Sequence, residues 1–96
     1  MNVNDLIQRW MQSADLEGMP LPNLPIAEIV GDRRILIEYH QGIVHYSPES
    51  ICVLTKLGQF WIEGSGLELA KMSKHQLIIV GTIDFVKIQR RNRNGN

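Results

Sequence analysis

The stretch LTKLGQFWIEGSGLEL, residues 54–69, sets three glycines among strand-forming apolar residues, and where the chain turns within it decides the fold. Gly64-Ser65 has the two-residue form that suits a type II′ hairpin, which predicts Ile62 opposite Leu67 and Phe60 opposite Leu69. TKLG reads as a type I turn with Gly58 in the left-handed bulge position, pairing Leu54 with Phe60 and Cys52 with Ile62. Both turns then agree on one core face: Cys52, Leu54, Phe60, Ile62, Leu67 and Leu69. The opposite face collects Ile51, Val53, Trp61 and Ala70 beside Gln59, Glu63 and Glu68. It is too apolar to be plain solvent face, so cover by an N-terminal helix or by another chain is expected, and Ile51, Val53 and Trp61 are the candidate protein-interaction face.

Outward from this stretch the same pattern continues. Residues 26–89 are short runs rich in Ile, Val, Leu and aromatics, punctuated by Gly31, Gly42 and Gly81 as well, which reads as an antiparallel β domain. Gly81 fits either a bulge within one long strand or a turn between two. Upstream, Val3, Leu6, Ile7, Trp10, Met11 and Ala14 fall at helical spacing, with Asn2 or Asn4 available as a cap, and predict one amphipathic helix. Pro20, Pro22 and Pro25 follow, which forbids helix and makes the rest of residues 1–25 an extended, semi-rigid connector. Residues 90–96, RRNRNGN, have no apolar side chain to bury and predict a disordered basic tail. The fold class expected is mainly β: a single small domain of antiparallel hairpins in a meander, with one N-terminal amphipathic helix.

Composition narrows the function classes. The chain has 96 residues, enough for one modest core and too few for an enclosed catalytic cleft of any size. Ten basic residues balance ten acidic ones, so the body offers no general attraction to nucleic acid or to an anionic membrane. Only Arg90, Arg91 and Arg93 break the balance, and three arginines neutralise few phosphates, so no nucleic-acid partner is expected. A single cysteine, Cys52, stands between Ile51 and Val53, which excludes an internal disulfide and reads as a core thiol in a reducing compartment. The N-terminus lacks the charged start and apolar run of a signal peptide, and no apolar stretch is long enough to span a bilayer. A cytoplasmic protein without direct membrane insertion is expected. There is no G-x-S-x-G, P-loop, C-x-x-C or dinucleotide fingerprint, so no enzyme and no cofactor are expected.

One constellation could still carry chemistry. In ILIEYHQGIVHYS, residues 35–47, two histidines five apart flank a Gln-Gly pair just after Glu38. If Gln41-Gly42 is a two-residue turn, Glu38, His40 and His45 share one face, and a small metal-dependent enzyme using them is the alternative reading. If His40 and Gln41 are the centre of a type I turn with Gly42 in the bulge, His45 falls opposite Ile37 and the cluster dissolves into solvated turn histidines. His75, in MSKHQ, reads as a turn residue rather than a third ligand.

The order of these pieces resembles the YabP/YqfC family of bacterial sporulation proteins, and its YqfC branch more closely. The resemblance rests on Leu24-Pro25, on Ile37-Glu38-Tyr39-His40-Gln41-Gly42-Ile43, on Thr55-Lys56-Leu57-Gly58, on Ile62-Glu63-Gly64 and on the run from Ile78 to Ile88. Tyr39 stands where the family usually has Asn, and Gln41 where it has a basic residue; an Asn there favours the type I turn with a bulge and argues against the metal cluster. The resemblance implies a non-enzymatic protein of spore formation, an assembly or adaptor module in the mother-cell cytoplasm near the outer forespore membrane. It also implies a membrane-protein partner, with a homo-oligomer as a further option. It defines no functional residues.

Overall fold

The computed structural model describes residues 24–91, and in it the chain does not turn at Gly64. Six strands are present: β1 (Ile26–Val30), β2 (Arg34–Glu38), β3 (His40–Ser47), β4 (Ser50–Thr55), β5 (Gly58–Met72) and β6 (Gln76–Arg90). They form one antiparallel sheet in the order β1-β2-β6-β5-β4-β3. The mainly β expectation therefore holds, whereas the helix expected over residues 3–14 lies outside the described residues, as do residues 92–96 of the expected tail. Residue 90 itself is ordered: Arg90 ends β6 opposite Gly58, and the Arg91 N–H donates to the Leu57 carbonyl at 3.2 Å.

β5 passes through Gly64-Ser65 because its hairpin partner is β6. The pairing runs from Gly58 opposite Arg90 to Met72 opposite Leu77, and the connection is Ser73–His75, closed by the Ser73 N–H donating to the Gln76 carbonyl at 2.7 Å. A dozen paired positions along two fifteen-residue strands outweigh one local turn signal. The expected pairs of Ile62 with Leu67 and Phe60 with Leu69 are accordingly absent; Ile62 faces Val86 and Phe60 faces Ile88. Gly81 lies inside β6, so it belongs to one long strand.

The two long strands are shared between two halves of the sheet. β2 pairs with β6 only over Gln76–Val80, while β4 pairs with β5 only over 59–63. Between these segments the β5–β6 register slips at Glu63/Gly64 and again at Ser65/Glu68, with Gly81 opposite the slip. A side chain at Gly64 would overlap the Thr82 carbonyl oxygen, and one at Gly81 would come within 2.6 Å of the Gly66 carbonyl oxygen. The glycines thus permit a close approach of two backbones at a bend rather than a chain reversal. The halves fold toward one another across that bend. Tyr39, with φ of 63°, is the one residue between β2 and β3, and it carries the chain from one half to the other, its N–H donating to the His75 carbonyl.

Between the halves lies the core. Ile35, Ile37, Leu67, Leu77 and Ile79 come from the first half, Ile51, Val53, Phe60 and Ile62 from the second, and Ile83 sits by the bend. The β4–β5 register is one residue from the expected one, with Val53 opposite Phe60 and Ile51 opposite Ile62. The cause is the loop. Only Lys56-Leu57 intervenes, because the Thr55 hydroxyl accepts the Leu57 and Gly58 N–H groups, each at 3.2 Å, and donates to the Gly58 carbonyl at 2.8 Å. Gly58 is held flat against the backbone of Gln89 and Arg90, where a side chain has no room, and forms no bulge. A single-residue slip inverts the face of one strand. Phe60, Ile62 and Leu67 are core as expected, and Leu69 packs against it, but Ile51 and Val53 replace Cys52 and Leu54 on that face.

The two sides of this folded sheet are closed differently. Along β3 and the end of β5, the Tyr46 hydroxyl accepts the Leu69 N–H at 3.0 Å and the Pro48 carbonyl accepts the Leu67 N–H at 2.8 Å. On the other side, β1 and the last seven residues of β6 are edges, and among the described residues no strand pairing joins them.

Candidate functional site

The possible metal cluster does not assemble. Strands β2 and β3 lie in opposite halves of the sheet, so neither of the two registers open to the sequence occurs. Glu38 pairs with Ile26 and Gln76, His40 opens β3 opposite Thr55, and His45 stands opposite Cys52. Among the described residues no group of three His, Cys, Asp or Glu side chains could hold a metal ion. His75 lies in the β5–β6 connection, in ring contact with Tyr39 at 6.0 Å.

His40 has a different part, which the sequence does not reveal. Its ring is buried, 8% exposed, and both nitrogens are engaged. Nε2–H donates to the Ser73 carbonyl at 2.8 Å, while Nδ1 accepts the Gly42 N–H at 3.0 Å. The neutral ring with its proton on Nε2 satisfies both bonds. It therefore latches the start of β3 to the tip of the β5–β6 hairpin. His40→Ala is expected to cost about 1–3 kcal/mol, because it removes a buried ring together with the two part-buried hydrogen bonds that it makes. His45→Ala, an exposed site, should stay within about 0.5 kcal/mol. Urea melts of the two variants make the comparison, and equal small losses would show that the latch contributes nothing.

The expected interaction face is split by the register. Ile51 and Val53 are fully buried in the core, whereas Trp61 lies on the outer face of the second half, partly exposed. There it neighbours His45, whose ring centroid is 5.8 Å away, and its indole N–H donates to Gln59 at 3.1 Å. Cys52 sits between them, opposite His45 on one side and Trp61 on the other. It is fully buried, and that burial pushes its thiol above the ordinary value, which makes it a poor nucleophile. Lys87 stands opposite Trp61 on β6, and Phe85, diagonal to Trp61 on the same face, is 55% exposed. Sequence reasoning missed Phe85, since alternation along β6 could be read only once β6 was known to pair with β5.

The structure also gives the residues of the family resemblance a physical role. Thr55 and Gly58 shape the β4–β5 loop, and Gly64 and Gly81 make the bend. Comparison with known proteins shows that the chain belongs to the YabP family, whose model matches residues 26–95. The uncharacterized protein YqfC of Bacillus subtilis (strain 168) is 30% identical over 83 residues, which is 84% of this chain and 88% of that protein. No solved structure matches the chain. Among the described residues no helix is long and apolar enough to cross a membrane.

Proposed function

We propose that this chain is a non-enzymatic assembly or adaptor module of spore formation, working in the mother cell at the forespore surface and binding a membrane-protein partner. The YabP/YqfC family is sporulation-associated, which supports the process. The observation that carries the adaptor reading is the outer face of the second half, where Trp61 and the exposed Phe85 lie on a preformed four-strand surface with Lys87 directly opposite Trp61. Large aromatics on a preformed surface lose little entropy on binding and commonly anchor interfaces. A protein segment with an apolar side chain for the aromatics and an acid for Lys87 would fit it. The dispersal of Glu38, His40 and His45 leaves the metal-dependent alternative without support in the geometry.

Trp61→Glu tests the reading in a spore-forming host whose own gene is replaced by a fluorescent fusion. The wild-type fusion is expected to gather around the forespore from the mother-cell side. The variant should keep its thermal melt, disperse through the cytoplasm, and lower spore yield at least tenfold. A folded variant that still gathers and sporulates normally would remove this face from the proposal. A variant that melts several degrees lower would show that Trp61 serves packing instead.

A further inference from the structure

The balance of acidic and basic residues over the whole chain conceals a segregation within the folded sheet. Because the halves fold toward one another at the bend, the tip of the β5–β6 hairpin and the β4–β5 loop arrive at the same end of the molecule. The His40 bond to the Ser73 carbonyl, the Tyr39 N–H on the His75 carbonyl, the Arg91 N–H on the Leu57 carbonyl and the Arg91 guanidinium on the Gln41 side-chain oxygen at 3.4 Å tie this end together. It carries Lys56, Lys74, Arg90 and Arg91, all exposed, and among the described residues the acid that shares it is Glu38, partly buried where β2 ends. At the opposite end the β1–β2 and β3–β4 turns are bonded to the bend, with the Ile83 N–H donating to the Asp32 carbonyl at 2.7 Å and the Gly64 N–H to the Glu49 carbonyl at 3.0 Å. Asp32, Glu49, Glu63 and Asp84 gather there, beside Arg33, which donates to the Thr82 hydroxyl at 2.7 Å, and Arg34.

The strands between the two ends, such as β2 and β4 with 5 and 6 residues, hold the two sets of charge about 17–20 Å apart at ~3.3 Å per residue. That is about twice the Debye length of ~8 Å at physiological salt, so the acids of one end do not cancel the cations of the other at a surface that only one end touches. Apolar side chains stand among the cations: Leu57 next to Lys56, Met72 two residues before Lys74 and 50% exposed, and Tyr39 in ring contact with His75. We infer that this basic end docks on the surface of an anionic phospholipid bilayer, with Lys74, Arg90 and Arg91 against the headgroups and Leu57, Met72 and Tyr39 in the interfacial layer.

Each cation near such a surface strengthens partitioning about fivefold. Apolar tips add to this, and the two together hold a chain that neither holds alone. A nucleic acid fits less well. A handful of cations neutralises few phosphates, and a phosphate backbone offers no apolar layer for the three tips to enter. The contact is peripheral and needs no strand or helix within the bilayer. It lies apart from Trp61 and Phe85 on the outer face, so it stands or falls independently of the adaptor reading.

Co-sedimentation of the full chain with lipid vesicles is the test. Binding is expected to phosphatidylcholine vesicles that contain about a third phosphatidylglycerol, and not to phosphatidylcholine alone. It should be lost at about 1 M salt, where the Debye length shrinks to about 3 Å. Lys74→Glu should weaken it about tenfold or more, and Arg34→Glu, the same change of charge outside the basic end, less than about twofold. Leu57→Ser should weaken it about threefold with the native amide spectrum retained. A second readout needs no substitution: with a spin-labelled anionic lipid in the vesicles, the methyl signals of Leu57 and Met72 should relax faster and those of Val30, at the acidic end, should not. Equal binding to neutral vesicles, binding to neither kind, or relaxation centred on Val30 would overturn the inference. Tighter binding to a single-stranded RNA homopolymer than to the vesicles would overturn it in favour of a nucleic acid.

Discussion

Gly64→Ala should leave little or no folded protein. The new methyl group would overlap the Thr82 carbonyl oxygen and approach Ile83 Cα at 3.1 Å. Both obstacles are backbone, held in the β5–β6 ladder on one side and tied to the β1–β2 turn on the other, so neither yields without opening the bend. Strain of this kind belongs to the class of substitutions costing about 4 kcal/mol or more. A domain of this size has only about 5–14 kcal/mol in total. Gly66→Ala is the control. At Gly66 nothing lies within 4 Å of an added methyl, and only the left-handed backbone, with φ of 60°, opposes it, a cost of about 1–2 kcal/mol. Thermal melts of the two variants, with amide spectra to confirm the native fold, should rank them far apart. Similar melting points would mean that the two backbones do not approach closely at the bend.

Phe60→Ala is expected to be nearly as damaging, at about 3–5 kcal/mol. The ring is 4% exposed and stands between Val53 and Ile88 in the second half, in the cluster that includes Ile35 and Leu77 of the first. Its partners Val53 and Ile88 are themselves held in paired strands, so the cavity left behind cannot collapse without moving a strand. Chemical denaturation should show the loss as a lower midpoint with an unchanged slope. Trp61→Ala, one position along and on the opposite face, should cost far less. A reversal of that order would place the core on the Trp61 face.

How much of this was legible in the sequence depended on whether the deciding interaction was local. The strand-rich character and the core positions Phe60, Ile62 and Leu67 follow from alternation and were readable. The course of the chain at Gly64-Ser65 was not. Two glycines around a serine make an adequate hairpin turn, and only the partner strand nearly twenty residues later reveals that they serve a backbone crossing. The one-residue slip at Thr55 was similarly hidden, because the hydroxyl that shortens the loop is an ordinary threonine until its bonds are seen. The Ser47–Ser50 turn, by contrast, carries a legible signal: Pro48 in the second position, with the Ser47 hydroxyl accepting the Ser50 N–H at 3.0 Å. It pairs β3 with β4 but leaves the other edge of β3 free, so the dispersal of Glu38, His40 and His45 is decided only by the pairing of β2 with β6. The burial of His40 could not have been foreseen, since its partner Ser73 lies in a distant connection.

A protein made of two separate stacked sheets has a seam, and one sheet can loosen while the other holds. Here β5 and β6 run through both halves, so the strands that hydrogen-bond to β2 are continuous with those that hydrogen-bond to β4. Unzipping either half frees one end of the hairpin on which the other is built. Local opening is therefore confined to the rim, to β1 above all, and the amides at the centre of each half are released only by global unfolding. A cell that inherits a damaged copy meets either the native molecule or a wholly unfolded chain open to proteolysis, with no half-sheet surviving to offer its raw edges to a neighbour.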